Sequence, residues 1–282
     1  MAHKVKGIRW GTIISFVILL IISLLTIAPF LFLLLSSFKP GEEVIRNGLS
    51  LNPQFGIMTL ANYVTLFVNH EGVYLKWFTN SLVITGVYTA MSLFFSSLVG
   101  YGLAKYEFRG KNFIFGIVLL VMMIPVEILL LPLYKLMITF KLIDKVLGVV
   151  LPFAVSPFAI FFFRQSAVGI PKDFMEAARI DGCTEFGIYF RIMLPLLKPA
   201  FGAMMILQAM NSWNSMVWPM IVLRTTERLT LPIGLASLIT PYGNDYDMLF
   251  PGAVLSIVPI VIIFLANQKS FMSGLTAGGV KG

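Results

Sequence analysis

"TIISFVILLIISLLTIAPFLFLLL", Thr12 to Leu35, decides the architecture. It carries no charge and exceeds the roughly 20 residues an α-helix needs to cross a bilayer. Lys4, Lys6 and Arg9 precede it, as in a secretory leader. The run is too long for a leader's apolar region, and no small-residue cleavage site follows. It reads as a retained membrane span.

The rest of the 282-residue chain repeats the pattern: 58% of residues are hydrophobic and 12% charged, where a soluble domain is nearer a quarter charged. Six spans are legible, at about 12–36, 78–104, 113–134, 146–163, 199–223 and 250–267. The expected fold is therefore an all-α, polytopic membrane helical bundle. A membrane β-barrel would show short alternating segments instead. Prolines recur in the spans, at Pro125, Pro132, Pro152, Pro157, Pro219, Pro251 and Pro259. They are either ordinary membrane-helix composition or bends around a pathway.

The net charge of +8 fits basic residues held on the cytoplasmic side. Nucleic acid is not an expected partner, because no basic helix or aromatic-basic module is present; membrane lipid is. Lys4, Lys6, Arg9, Lys105, Arg109, Lys111, Arg164, Lys172, Arg179, Arg191, Lys198, Lys269 and Lys281 fall on one side. Glu42, Glu43, Glu71, Glu227, Asp245 and Asp247 fall on the other. Both termini are then cytoplasmic. The layout is a tail (1–11), a first span (12–36), an outer loop (37–77), a transmembrane domain (78–267) with a cytoplasmic loop at 164–198, and a tail (268–282). The lone Cys183 forms no internal disulfide. His3 and His70 lie far apart without metal-ligand spacing. No phosphate-binding glycine loop occurs, so no ATP hydrolysis is expected of this chain.

The loop contains "EAARIDGCTEFGIYFRIMLP", Glu176 to Pro195. Pro171 suits a first helical turn, and Gly182 a C-terminal stop. Asp173 and Glu176 lie early and Arg179 late, matching the helix dipole. Ile170, Phe174, Ala177 and Ala178 form one apolar stripe. A short amphipathic helix over 171–181 follows. Thr184 is an acceptable cap for a second helix, which carries Phe186, Tyr189, Phe190 and Met193. A helix–glycine–helix elbow is stiff enough for a soluble partner to push. A helix lying on lipid headgroups would be richer in Lys and Arg.

The pattern E-A-A-x3-G-x9-I-x-L-P is met at Glu176, Ala177, Ala178, Gly182, Ile192, Leu194 and Pro195. It resembles the cytoplasmic signature of ABC importer permeases. "TNSLVIT" (79–85), "IPVEILLLPLYKLM" (124–137), "FFRQ" (162–165), "NSWNSMVWPMIVL" (211–223) and "GLTAGGVKG" (274–282) resemble the maltose-type, carbohydrate branch. The resemblance implies a bacterial or archaeal cytoplasmic membrane protein with a five-helix core and one added span. It implies a sugar substrate, with an oligosaccharide favoured and a polyol or glycerol phosphate as the alternative. It also implies a second homologous permease, a pair of ATPase subunits that bind MgATP, and an extracytoplasmic solute-binding protein. The short helix looks like the coupling helix, with Glu176 pairing to a basic residue on the ATPase. The terminal glycine-rich tail resembles one that reaches toward the ATPase pair.

Asn211 lies roughly 18 Å into the fifth span, near mid-membrane. Asn211, Asn214 and Trp218 would share one helical face. Amides suit sugar hydroxyls and an indole suits sugar C–H surfaces; the alternative is hydrogen bonding between helices. Glu127 is an acid within a span, a functional candidate, where many relatives carry Gln. Asn80 and Ser81 are placed to cap the second span. An ion-coupled transporter would need more internal ionisable groups. A membrane enzyme would need a nucleophile–base set, and none is visible.

Overall fold

The computed structural model describes residues 10–48, 52, 54–241 and 243–277. The basic tail with Lys4, Lys6 and Arg9 and the final "GVKG" lie outside the described residues. The chain folds into two compact units, 1–72 with 237–255 and 73–236 with 256–282.

The first unit begins with α1 (Trp10–Ser37), which starts and ends within two residues of expectation. α2 (Gly41–Asn47) and α3 (Ala61–Val68) follow. The Asn62 amide donates to the Ser37 and Lys39 carbonyls at 3.1 and 2.7 Å. Two backbone acceptors at the end of α1 are thus satisfied by one buried side chain. The Gly41 N–H donates to Asp247 Oδ1 at 2.6 Å.

The second unit opens with α4 (Val73–Lys105), whose Lys105 end carries the basic loop. α5 (Lys111–Met122) and α6 (Val126–Thr139) meet at 100°. α7 (Val146–Val150) and α8 (Pro157–Val168) belong to a segment bent by 48°. α9 (Asp173–Ile180), α10 (Glu185–Ile188) and α11 (Leu194–Leu196) form the loop between spans. α12 (Lys198–Trp213), α13 (Val217–Val222) and α14 (Leu231–Ser237) follow. Back in the first unit, a hairpin of two-residue strands pairs β1 (Ile239–Thr240) with β2 (Gly243–Asn244). The last helix is α15 (Tyr246–Ala277).

Among the described residues, three helices are long and apolar enough to span alone: α1, α4 and α15. The third, fourth and fifth expected spans are not single straight helices. Pro125 sits before α6 in extended backbone; it has no N–H to continue the preceding helix, and its ring disfavours helical backbone at Ile124, so the helix breaks there. Pro157 opens α8 behind the cap Ser156, whose Oγ accepts the Ala159 N–H. The fifth span, expected unbroken over 199–223, stops at Trp213 and restarts at Val217.

α4 is the hub of this unit. Ser92, Ser96, Ser97 and Gly100 are buried on it, and small residues let helices approach closely without a large side chain between. A Cβ at Gly100 would lie 2.8 Å from the Ile160 carbonyl oxygen on α8. Ser96 Oγ accepts the Ser156 N–H at 3.0 Å. Asn80 and Ser81 do not cap α4, which starts at Val73. They tie it to later chain instead: Asn80 donates to the Glu227 and Leu229 carbonyls, and Ser81 Oγ accepts the Leu231 N–H at 2.7 Å.

Candidate functional site: an elbow and a cavity

The elbow is built from local rules. Asp181 N–H donates to the Ala177 carbonyl, Gly182 N–H to Arg179 and Cys183 N–H to Ala178, at 2.9–3.0 Å. The last two bonds are a Schellman close of α9. Gly182 has φ +78° with open space where a Cβ would stand. Backbone strain, rather than crowding, restricts the position to glycine. Thr184 Oγ1 accepts the Gly187 N–H at 3.1 Å and starts α10, as expected.

Burial within α9 differs from the expected stripe. Met175 and Ala178 are buried, while Phe174 and Ala177 face outward beside Ile180. The inner face joins Tyr101, Ile188, Tyr189 and Met193 in one apolar cluster, with Ile192 and Leu194 packed against it. In the second half of the elbow, Phe186 and Phe190 are likewise exposed. So Ala178, Ile192 and Leu194 hold the elbow together. Glu176, Ala177, Gly182 and Pro195 lie on its exposed surface. The chain passes from α10 through a π-helical turn at Tyr189–Met193. Pro195 has no N–H to offer the carbonyl four residues earlier, which favours that widened turn.

A polar brace ties the elbow to the end of α4. Arg179 forks onto Glu185 at 2.7 and 3.2 Å. Tyr106 donates its hydroxyl to the same carboxylate, and Tyr101 and Tyr106 share a hydrogen bond at 3.1 Å. Ser97 Oγ and the Tyr189 hydroxyl lie 2.6 Å apart. Hydrogen bonds from Arg179 and then Tyr106 hold the Glu185 carboxyl below its ordinary range. Burial, then the bond to that carboxylate, pushes the Tyr106 hydroxyl well above its usual value. Sequence reasoning found Arg179 but missed Glu185 and Tyr106 as its partners, because the contact depends on how the chain returns after Gly182.

The second feature is a cavity of about 450 Å³, within the usual range for small-molecule sites. Three chain interruptions meet around it. Val126 and Glu127 begin α6, Ser156 and Pro157 begin α8, and Ser215 to Val217 bridge α12 to α13. The prolines at 125 and 157 therefore stand at bends that border this cavity. Helix ends also leave backbone groups without intrahelical partners, so a broken span supplies polarity that an unbroken one conceals.

Glu127, Asn211 and Trp218 line this cavity and Asn214 does not. The shared helical face fails because α12 ends at Trp213. Asn214 turns back, its Nδ2 donating to the Met210 carbonyl at 2.9 Å. Trp218 is buried; its indole N–H donates to the Gly148 carbonyl at 3.2 Å, leaving ring carbon rather than a donor for a ligand. Tyr88, Ser156, Ser212 and Ser215 also line the cavity and were not singled out from sequence. Tyr88 is anchored by its hydroxyl, which donates to Gln208 Oε1 at 2.8 Å. Amide, hydroxyl and aromatic groups on an otherwise apolar wall suit a neutral, hydroxyl-rich solute.

Broken membrane helices around a largely apolar cavity that carries a few polar groups, joined to a stiff elbow beyond the spans, define a membrane permease. The chain belongs to the family described as the binding-protein-dependent transport system inner membrane component, matched over residues 92–269. It is 57% identical, over 93% of each chain, to the arabinooligosaccharides transport system permease protein AraQ of Bacillus subtilis (strain 168). It is 30% identical, over 97% of each, to the lactose transport system permease protein LacG of Rhizobium radiobacter. Among solved structures, it is similar to a chain of a bacterial ABC transporter involved in the import of the acidic polysaccharide alginate. There the TM-score is 0.80 at 24% identity, covering 96% of this chain and 100% of that one. The protein is thus a membrane-embedded ABC transport permease, a non-catalytic component.

Proposed function

We propose that this chain is one of two permease halves of a sugar importer, and that its cargo is an oligosaccharide containing arabinose. The 57% identity to an arabinooligosaccharide permease over 93% of both chains carries the sugar reading. The cavity chemistry is in keeping with it. A related crystal structure is described as an alginate transporter in complex with a pentasaccharide-bound periplasmic protein, which supports a solute-binding protein as the donor of cargo here.

In this reading the exposed face of α9, with Glu176 and Ala177, is gripped by one of a pair of cytoplasmic ATPase subunits that bind MgATP. A second, homologous permease completes the path, and both termini lie in the cytoplasm of a bacterial or archaeal cell. The apolar cluster and the Arg179–Glu185–Tyr106 brace make the elbow move as one body with the end of α4. α4 reaches the cavity through Ile84 and Tyr88, so displacement at one end is felt at the other. Asn211, Glu127 and the ring of Trp218 meet the sugar.

The test is uptake of a labelled arabinooligosaccharide by membranes containing the assembled transporter. Replacing Glu176 and Gly182 together should abolish uptake while insertion survives; normal uptake in that double variant would sink the coupling role. Uptake that survives ATP depletion but not collapse of a proton gradient would favour an ion-coupled mechanism instead.

A further inference from the structure

A second cavity, of about 270 Å³, lies where α5 begins and α8 approaches its end. It sits on the elbow side of the spans, outside the machinery described above. Arg164, Lys111, Asn112, Glu107, Phe108 and Phe113 line it. Arg164 is part-buried, with its guanidinium carbon 3.8 Å from the centre of the Phe115 ring. Its Nε–H is fully buried and has no hydrogen-bond partner among the described residues. Buried donors are almost always satisfied; this one has no exposed surface, so it marks an uncompensated guanidinium at the cavity wall rather than a ligand contact of its own.

The charge balance agrees. Glu107 is already engaged by Lys111 at 3.2 Å and Lys172 at 3.5 Å. That leaves Arg164 as the cation of this cavity without a carboxylate in reach among the described residues. The Lys111 side chain is only 14% exposed, so its charge is weakly screened by solvent. Gly110 precedes α5 in left-handed backbone and brings no capping side chain, so the first N–H groups of the helix add to the positive field. On the rim, Phe113 is 73% exposed and Phe108 is 45% exposed. A free ion has no use for exposed aromatic rings. A molecule with an anionic head and hydrocarbon tails uses both.

We propose that this cavity binds the phosphate of an anionic phospholipid, with Arg164 and Lys111 on the phosphate oxygens and Phe113 against the acyl chains. Arginine's planar fork matches phosphate geometry, and basic pockets between membrane helices hold lipid headgroups in this way. Glu107 selects against a second negative charge, so a monoanionic head such as phosphatidylglycerol fits best. A choline head would bring a bulky cation against Lys111.

The experiment is native mass spectrometry of the purified, assembled transporter equilibrated with phosphatidylglycerol or phosphatidylcholine. The expected result is preferential retention of phosphatidylglycerol. Retention should fall about fivefold for each charge changed, in Arg164→Gln and in Asn112→Asp. Arg164 also packs on Phe115, so if Arg164→Gln does not assemble, the surface variant Asn112→Asp decides. Equal retention of the two lipids, or unchanged retention in Asn112→Asp, overturns the proposal. So does displacement of the lipid by millimolar inorganic phosphate, which would mark a free-anion site.

Discussion

The elbow and the cavity are held together in opposite ways. In the elbow, apolar side chains pack underneath and charged groups bridge the surface, all within about twenty residues of chain plus the end of α4. The cavity is bordered by segments from four distant parts of the sequence, α4, α6, α7–α8 and α12–α13, with only a few polar side chains among apolar ones. The first region resists bending. The second has several breaks at which the chain can rearrange. Under the proposed function, that asymmetry would place rigidity where force enters and compliance where cargo passes.

The largest effect should come from the cavity wall. Trp218→Ala removes a buried indole that stacks edge-on against Phe153 and bonds the Gly148 carbonyl. A loss of about 3–5 kcal/mol is expected for such a truncation, read as a lower melting temperature of the detergent-purified protein. Unchanged melting would show that the wall is not packed as described. Gly182→Ala comes next. It forces a β-carbon into left-handed backbone, a strain of about 1–2 kcal/mol, confined to the elbow. Uptake should fall sharply while thermal stability changes little, the reverse of the Trp218 pattern. Equal damage to both properties in both variants would erase the contrast between the regions.

Smaller still is Tyr106→Phe. It removes the bond to Tyr101 and one hydrogen bond to a carboxylate, the latter about 1.5 kcal/mol or more in general, less here because Glu185 is half-exposed. ATP hydrolysis by the assembled transporter should continue while sugar moved per ATP falls. An unchanged ratio would mean that the brace carries no force. The same carboxylate sets a pH dependence. Its pKa in the fold is depressed, so its contribution is present above the ordinary carboxylate pKa near 4 and is lost as pH falls through the lower folded value. Amide-exchange protection of 179–189, corrected for intrinsic rates, should drop in acid for the wild type and not for Glu185→Gln. The smallest effect is expected of Asn214→Ala. Asn214 serves the end of α12 rather than the cavity, so uptake should remain near normal while Asn211→Ala lowers it.

How far each region could be read in advance follows from these differences. Gly182 and Thr184 act on their own backbone neighbours, so their roles follow from residue type and spacing. The direction in which α9 faces does not: Met175 is buried and Phe174 exposed because Tyr101 and Tyr189 arrive from elsewhere. Likewise the apolar run after Lys111 is long enough to span, and nothing local says that Pro125 will break it when other membrane helices tolerate proline. The interruption at Asn214–Met216 has no proline at the break at all. Its polarity was visible, and its geometry was set by packing against α7 and α6.

One consequence of the three interruptions concerns how such a protein changes its diet. Substitution can replace a side chain, but it cannot remove a peptide carbonyl or amide from the route the chain takes. Where a helix break leaves main-chain groups facing a cavity, that polarity persists however the side chains drift. If the proposed function holds, exchanges at lining positions such as Asn211 or Glu127 would refine the menu without rebuilding the kitchen.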